Sequence, residues 1–443
     1  MPGTSTSNDS TATASIHGVD ARALYRKITW RLIPYLFLLY IVAYVDRVNV
    51  GFAAMDMKRQ LAFGDTVYGT GAGIFFIGYA LFGVPSNLLI QRVGTRRLIS
   101  GIMISWGIIA TMMMFVQSVH SFYLVRFLLG VSEAGFFPGM MYYLTFWFPS
   151  SERGRAVAKF MTATSIAGVV GGPVSSVLLK LDGVAGLHGW QWLFAAEGIP
   201  TVLLGISVLF VLKDGPGHAG WLQPEETRWL ADELSRDRTS YGANERSTFG
   251  DAIRMPAVWV MAGIYLATQI GIYIVNLWMP LILDSAGKGA YNSVHIARYA
   301  AVPYLLAAIF TVAVGWSSDR TNERRGHLAG CLALAAAGFA WAAVAHSFLI
   351  AFSAMSLVAI GMWSSMGPFW ALMTRAVTGT AAATGVAIVI GGGGLGGFIG
   401  PYVTGRLREA TDSFARGLYA VSLLSLAAAL VSLAVRARAN TNQ

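Results

Sequence analysis

The sequence predicts an all-α membrane protein, with twelve membrane-crossing helices arranged as two six-helix halves around a central cavity. Three observations lead there. Hydrophobic residues make up 55% of the chain and charged residues 12%, about half the roughly 25% charge of a soluble domain, and the mean hydropathy is +0.57. Apolar runs of about twenty residues, the length that crosses a bilayer core as a helix, recur in two sets on either side of one long polar stretch. Lys and Arg gather on alternate segments between the runs, 22 of the 32 on one side, which is the bias that orients a membrane protein.

Each element follows from the local sequence. The chain opens on a Ser/Thr/Ala/Gly-rich stretch without the apolar core of a signal peptide, so residues 1–28 read as a disordered cytoplasmic tail and the first run as the targeting signal. Runs at 32–52, 67–90, 98–117, 121–144, 156–179 and 190–212 build an N-terminal bundle over 29–212. Residues 213–254 form a cytoplasmic linker in which "QPEETRWLADELSRDR" reads as a surface helix, with Pro224 in the first turn where its missing N–H does no harm. Runs at 255–284, 296–317, 327–345, 348–371, 381–404 and 414–435 build a C-terminal bundle over 255–436, and 437–443 form a second cytoplasmic tail. The positive bias places both termini in the cytoplasm, and the setting is a bacterial inner membrane.

Several function classes are set aside at once. The net charge of +10 follows from topology and does not mark a nucleic-acid surface. Seven scattered His form no ligand spacing, Cys331 lies alone in an apolar run, and the glycine run at 391–394 lacks the Lys-Ser/Thr of a phosphate loop. No metal, no cofactor beyond protons as coupling ion and no enzyme activity are expected. The expected partners are a small substrate, protons and the lipid bilayer, with the monomer as the working unit.

The chemistry lies in charges that the apolar runs retain. "PYLFLLYIVAYVDRVNVGFAAM" sets Asp46 beside Arg47, about 15 residues into the first run and toward its outer end. The fourth run carries Arg126 and Glu133, seven apart with Gly130 between them. They share a helix face at about 10 Å along the axis, too far for a direct ion pair. A charge at the bilayer centre costs at least about 2.5–3.5 kcal/mol, so these side chains face inward. Two guanidiniums in a low-dielectric cavity attract a carboxylate, whose two oxygens suit the fork of Arg. Desolvation favours the neutral form of an acid and a nearby Arg its charged form. An anion occupying the Arg therefore changes how firmly the acids hold protons, and the coupling is reciprocal. A purely structural network locking the first and fourth helices is the competing reading.

Polar residues on neighbouring runs extend the pocket. Tyr79 and Tyr44 are candidate hydroxyl donors near Arg47 or packed aromatics, and Thr162, Thr164 and Ser165 form a polar stripe that can equally bond its own backbone. Asn276 shares a face with Tyr273, and "GMWSSMGPFW" (361–370) offers Trp363 and Ser364 with a kink at Pro368. Glu197 reads as structural.

Two inner loops echo each other, "NLLIQRVGTRR" (87–97) and "GWSSDRTNERR" (315–325). The second resembles the loop motif of the major facilitator superfamily through Gly315, Asp319, Arg320, Arg324 and Arg325. The first is a degenerate copy, with Asn87 in place of Gly and Gln91 in place of Asp. Further stretches, "YVDRVNVG" (44–51), "GYALFGVPSNLL" (78–89), "RFLLGVSEAGFFPGMMYYLTFWFPSSERGRA" (126–156), "GWQWLFAAEGIP" (189–200) and "GTAAATG" (379–385), resemble its anion:cation symporter family over about residues 25–436. That resemblance implies a twelve-helix major facilitator fold and import of a small organic carboxylate of the tartrate, sugar-acid or aromatic-acid class with protons, by alternating access. It implies that Asp46 and Glu133 carry protons and that Arg47 binds the substrate carboxylate. Arg126 either binds substrate or holds the acids in place. Arg92, Arg96, Asp319 and Arg320 belong to the gating loops. The chain departs from the family at "VIGGGGLGGF" (389–398), where relatives often carry Asn, so the pocket is expected to be wider and less suited to a polyhydroxylated acid. A proton-driven efflux antiporter is the second reading, from "GVVGGPVSS" (168–176), and a transporter-fold nutrient sensor the third.

Overall fold

The computed structural model describes residues 19–242, 249–377 and 382–435, and every regular element among them is helical. The first half comprises α1 (Ala21–Leu61), α2 (Asp65–Val93), α3 (Thr95–Met112), α4 (Val119–Glu133), α5 (Phe136–Leu144), α6 (Ser150–Leu179) and α7 (Gly189–Val211). The polar segment carries α8 (Pro224–Gly242) and α9 (Phe249–Arg254). The second half comprises α10 (Pro256–Ala286), α11 (Ser293–Thr321), α12 (Arg325–Ala343), α13 (Phe348–Ser364), α14 (Met366–Ala376), α15 (Ala382–Thr411) and α16 (Ala415–Ala434). Among the described residues twelve spans are long and apolar enough to cross a membrane, with α4–α5 and α13–α14 each forming one interrupted span.

The boundaries have local causes. Asp20 caps α1, accepting from the backbone N–H of Arg22 at 2.9 Å and of Ala23 at 3.2 Å. The tail expected over 1–28 is thus too long: helix begins at Ala21, with Leu24 and Ile28 buried. Past Arg47, α1 continues to Leu61, so Asp46 and Arg47 lie within the helix and not at its end. The fourth and tenth spans break at matching places. Pro138 cannot donate to the carbonyl of Ala134, nor Pro368 to that of Ser364, and the helices stop at Glu133 and Ser364.

Helices approach closely where glycine removes a side chain. Between α2 and α4, a Cβ on Gly130 would stand 1.9 Å from the carbonyl oxygen of Phe75. Between α3 and α7, Gly107 faces Gly198, and Ser100 donates to the carbonyl of Gly205 at 2.7 Å.

The first and last described helices, α1 and α16, begin and end on the same side of the bundle as the polar segment, the linker end. The halves join toward the opposite, far end. Along α2 and α15 the contacts run from Asp65 against Gly405, through Gly69 against Pro401 and Gly73 against Phe398, to Phe76 against Gly397. Tyr68 donates to the carbonyl of Leu277 at 2.7 Å, and the backbone N–H of Thr66 to Glu409 at 2.7 Å. Nearer the linker end, a Cβ built on Gly83, Gly391 or Gly394 would find no atom within 4 Å. The halves therefore close at the far end and part at the linker end, leaving the central cavity between them.

The helix expected in the polar segment is α8, and it docks on the first half. Lys27 pairs with Glu226 at 2.7 Å, Arg153 with Asp237 at 3.3 Å, and Trp221 stacks on Trp147 at 5.5 Å. Leu230 of α8 is buried in this contact.

Candidate functional site

The break after Glu133 places its carboxylate at a helix end inside the protein, opposite α1. There Arg47 forms an ion pair with Glu133. Glu133 is buried, while the Arg47 side chain keeps 17% of its surface open. Aromatic rings frame the guanidinium, with Tyr79 at 5.2 Å and Phe75 at 5.7 Å from ring centroid to the carbon of the fork. The hydroxyls of Tyr79 and Tyr273 approach the same group from α2 and α10, and Tyr273 packs on Phe76 at 4.2 Å. The Arg47 Nε and Glu133 Oε2 atoms are buried without hydrogen-bond partners. A guanidinium with one open edge and hydroxyls beside it, reachable from the parted end, can accept a second carboxylate.

A second cluster joins the halves. Asn276 of α10 donates to the hydroxyl of Tyr44 at 3.3 Å and accepts from Tyr304 of α11 at 2.8 Å. Trp363 of α13 meets the Tyr304 ring edge-on at 5.5 Å. Asn276 and Trp363 thus come together with Tyr44, and sequence reasoning missed Tyr304. Its position immediately after Pro303 carried no signal that set it apart from core aromatics.

Asp46 does not join Arg47. Neighbours on a helix point about 100° apart, and the Asp46 carboxyl faces α7, where Thr201 lies 3.1 Å away. Arg126 donates to the carbonyl oxygens of Gly71 at 3.2 Å and Ala72 at 3.1 Å and covers Phe75 at 5.0 Å. It thereby fixes the stretch of α2 that frames Arg47, and its Nη1 is buried without a partner.

Two expected pocket residues lie elsewhere. Thr162 is exposed and bonds the carbonyl of Lys159, its own helix, at 2.7 Å. Thr164 likewise bonds Met161 at 2.8 Å, and the side chain of Ser165 lies outside the described residues. Ser364 lines an apolar pocket of about 420 Å³ together with Phe310, Cys331 and Ile360. The glycine run has a packing cause at one position, since a Cβ on Gly393 would strike the Tyr265 ring at 2.3 Å.

At the linker end, Arg96 pairs with Asp214 at 3.3 Å and Asp319 with Arg324 at 2.6 Å, each inside its own half. Arg320 covers Trp316 at 5.3 Å, and Arg92 is exposed. The side chains of Asn87 and Gln91, and residues 379–381 of "GTAAATG", lie outside the described residues.

Comparison with known proteins agrees with this architecture. The profile of the Major Facilitator Superfamily matches residues 36–401. A putative tartrate transporter of Agrobacterium vitis is 43% identical over 415 residues, covering 94% of this chain and 91% of that protein. A quinolone resistance transporter of Acinetobacter baumannii is 40% identical over 413 residues, covering 93% and 95%. Among solved structures, a bacterial homologue of the human lysosomal transporter Spinster superposes with a TM-score of 0.74 at 19% identity, covering 93% and 96%.

Proposed function

The chain belongs to the Major Facilitator Superfamily and is a multi-pass membrane transporter, not an enzyme; from that premise we propose that it imports a small organic carboxylate together with protons. The observation that carries this reading is the Arg47–Glu133 pair beside the cavity. In the empty site an internal carboxylate holds the cation. A substrate carboxylate takes over Arg47 when Glu133 accepts a proton and lets go. Anion and proton then bind as one thermodynamic unit, each raising the affinity of the other. Tyr79 and Tyr273 complete the contacts to the second oxygen, and Asn276 with Tyr44 and Tyr304 ties the two halves across the cavity.

Alternating access follows from the asymmetry of the halves. The far end is joined and the linker end parted, so the site is open toward the linker end. The excess of Lys and Arg on that side supports its assignment to the cytoplasm of an inner membrane, with both termini there. The name of the tartrate relative supports an organic acid as cargo. Aromatic walls and the glycine run favour a carboxylate with an apolar or planar body.

The test is uptake of labelled tartrate, sugar acids and aromatic acids into vesicles with an imposed pH gradient. Acid outside stimulates uptake, and Arg47→Ala abolishes substrate binding. Uptake indifferent to the gradient, or undiminished affinity in Arg47→Ala, refutes the proposal. The name of the quinolone resistance relative supports a second reading, proton-driven efflux. It requires drug resistance in cells that express the protein and no carboxylate binding.

A further inference from the structure

On the side of α1 that faces α7 lies a second acidic site, built from Asp46, Asn49, Glu197 and Thr201. Asp46 is 1% exposed and Glu197 7%. The Asn49 amide bridges them, donating to Glu197 Oε2 at 2.7 Å and lying 3.5 Å from Asp46 Oδ1. The Thr201 hydroxyl lies 2.8 Å from the carbonyl oxygen of Glu197 and 3.1 Å from Asp46 Oδ2.

We infer that Glu197 is the partner carboxyl of Asp46, and that together they form one site that holds a single proton between them. Hydrogen counting carries the argument. A hydroxyl has one hydrogen, and Thr201 has two acceptors within reach, the Glu197 carbonyl and Asp46 Oδ2. The Asn49 amide supplies two more hydrogens, one toward each carboxyl, and Glu197 Oε1 is buried without a partner. These donors are too few for two buried carboxylates, and one proton held by the pair makes up the shortfall.

The surroundings offer no competing cation. Among the described residues neither acid forms an ion pair with a basic side chain. The titratable neighbours are Glu133 from α4 and the two acids themselves. Arg47 is committed to Glu133. From α6, Gly171 lies against Val45, Val48 and Phe52 of α1. Tyr273 of α10 faces Arg47, and Tyr304 of α11 faces Asn276. Two carboxylates buried together without a cation cannot both stay charged. Glu197 acts through Asp46 and is a positioning residue. The inference deepens the proposed function by resting on Asp46 as a coupling acid.

Infrared spectroscopy of the purified full-length protein tests it without any substrate. The wild type shows a protonated carboxylic-acid band at neutral pH that Asp46→Asn shifts or removes. In Glu197→Gln that band titrates at a pH lower by about one unit, because groups this close titrate as a pair, and Glu197→Asp restores the wild-type midpoint. Thr201→Val moves the band to higher frequency, since the acid loses a hydrogen-bond partner, which serves if Glu197→Gln does not fold. Absence of an Asp46-dependent band, or a band unmoved in both Glu197→Gln and Thr201→Val, overturns the inference. Uptake indifferent to pH with the band intact refutes proton coupling and leaves the proton site standing.

Discussion

Replacing Gly69 with Ala discriminates between the two ends of the transport cycle. Gly69 of α2 lies against α15, and a Cβ there would stand 2.4 Å from the carbonyl oxygen of Pro401 and 3.1 Å from Trp278 Cζ2. An ordinary contact begins at 3.4 Å, so the methyl is about 1 Å too close to backbone that cannot rotate away. Overpacking of this kind costs about 1–3 kcal/mol. The cost falls only on the state in which the far end is joined, because the halves separate there in the opposite state. The ratio of far-end-open to far-end-closed molecules therefore rises about 5- to 150-fold. Gly130→Ala is the control. Its Cβ would stand 1.9 Å from Phe75 O, but α4 and α2 belong to one half, so it lowers thermal stability and leaves the ratio alone. The assay uses Cys331→Ser with spin labels at Lys180→Cys and Lys288→Cys, exposed far-end positions on opposite halves. Gly69→Ala adds population at longer distances. An unchanged distribution, or an equal shift in Gly130→Ala, refutes the reasoning.

Three other outcomes are expected. Arg47→Lys keeps the charge and loses the fork, so carboxylate affinity measured by calorimetry falls about tenfold or more. Glu133→Gln leaves Arg47 permanently available, so anion binding becomes insensitive to pH and proton-driven uptake falls more than substrate exchange; equal loss of both contradicts the coupling role. At α8, burial pushes the Glu226 carboxyl up, but Lys27 and the Gln223 backbone N–H outweigh it and hold the group below its usual value of 4.5. A depressed acid contributes its stabilisation above the usual value and loses it as pH falls through the lower one. Lys27→Ala accordingly speeds proteolysis of the 213–254 segment at neutral pH, and the difference from wild type disappears in acid below that range.

Much of the architecture was readable because it depends on local properties. The Pro368 kink follows from a missing N–H group, and the α8 helix from Pro224 in its first turn and its charge pattern, whereas the matching break before Pro138 was not read from the run 121–144. The start of α1 was misread because hydropathy marks only where lipid contact begins. The helix extends further because Tyr25 packs against Trp229 at 5.9 Å and Lys27 pairs with Glu226, contacts made by distant sequence. The site was half legible. Arg47, Glu133 and Tyr79 do converge, whereas Thr162 satisfied its own backbone and Ser364 lined another pocket. Glu197 was visible as an acid in an apolar run, but nothing along the chain said that Asp46 would face it.

The sequence by itself determined the number of spans, their polarity and the presence of charges that lipid would not tolerate, because hydropathy and charge are written residue by residue. Only the tertiary structure decided which charges meet. Each step along a helix turns a side chain by about 100°, so the adjacent Asp46 and Arg47 belong to different sites. Arg47 was turned to Glu133 and the cavity, and Asp46 to Glu197 and Thr201, by how α1 is rotated against α4 and α7.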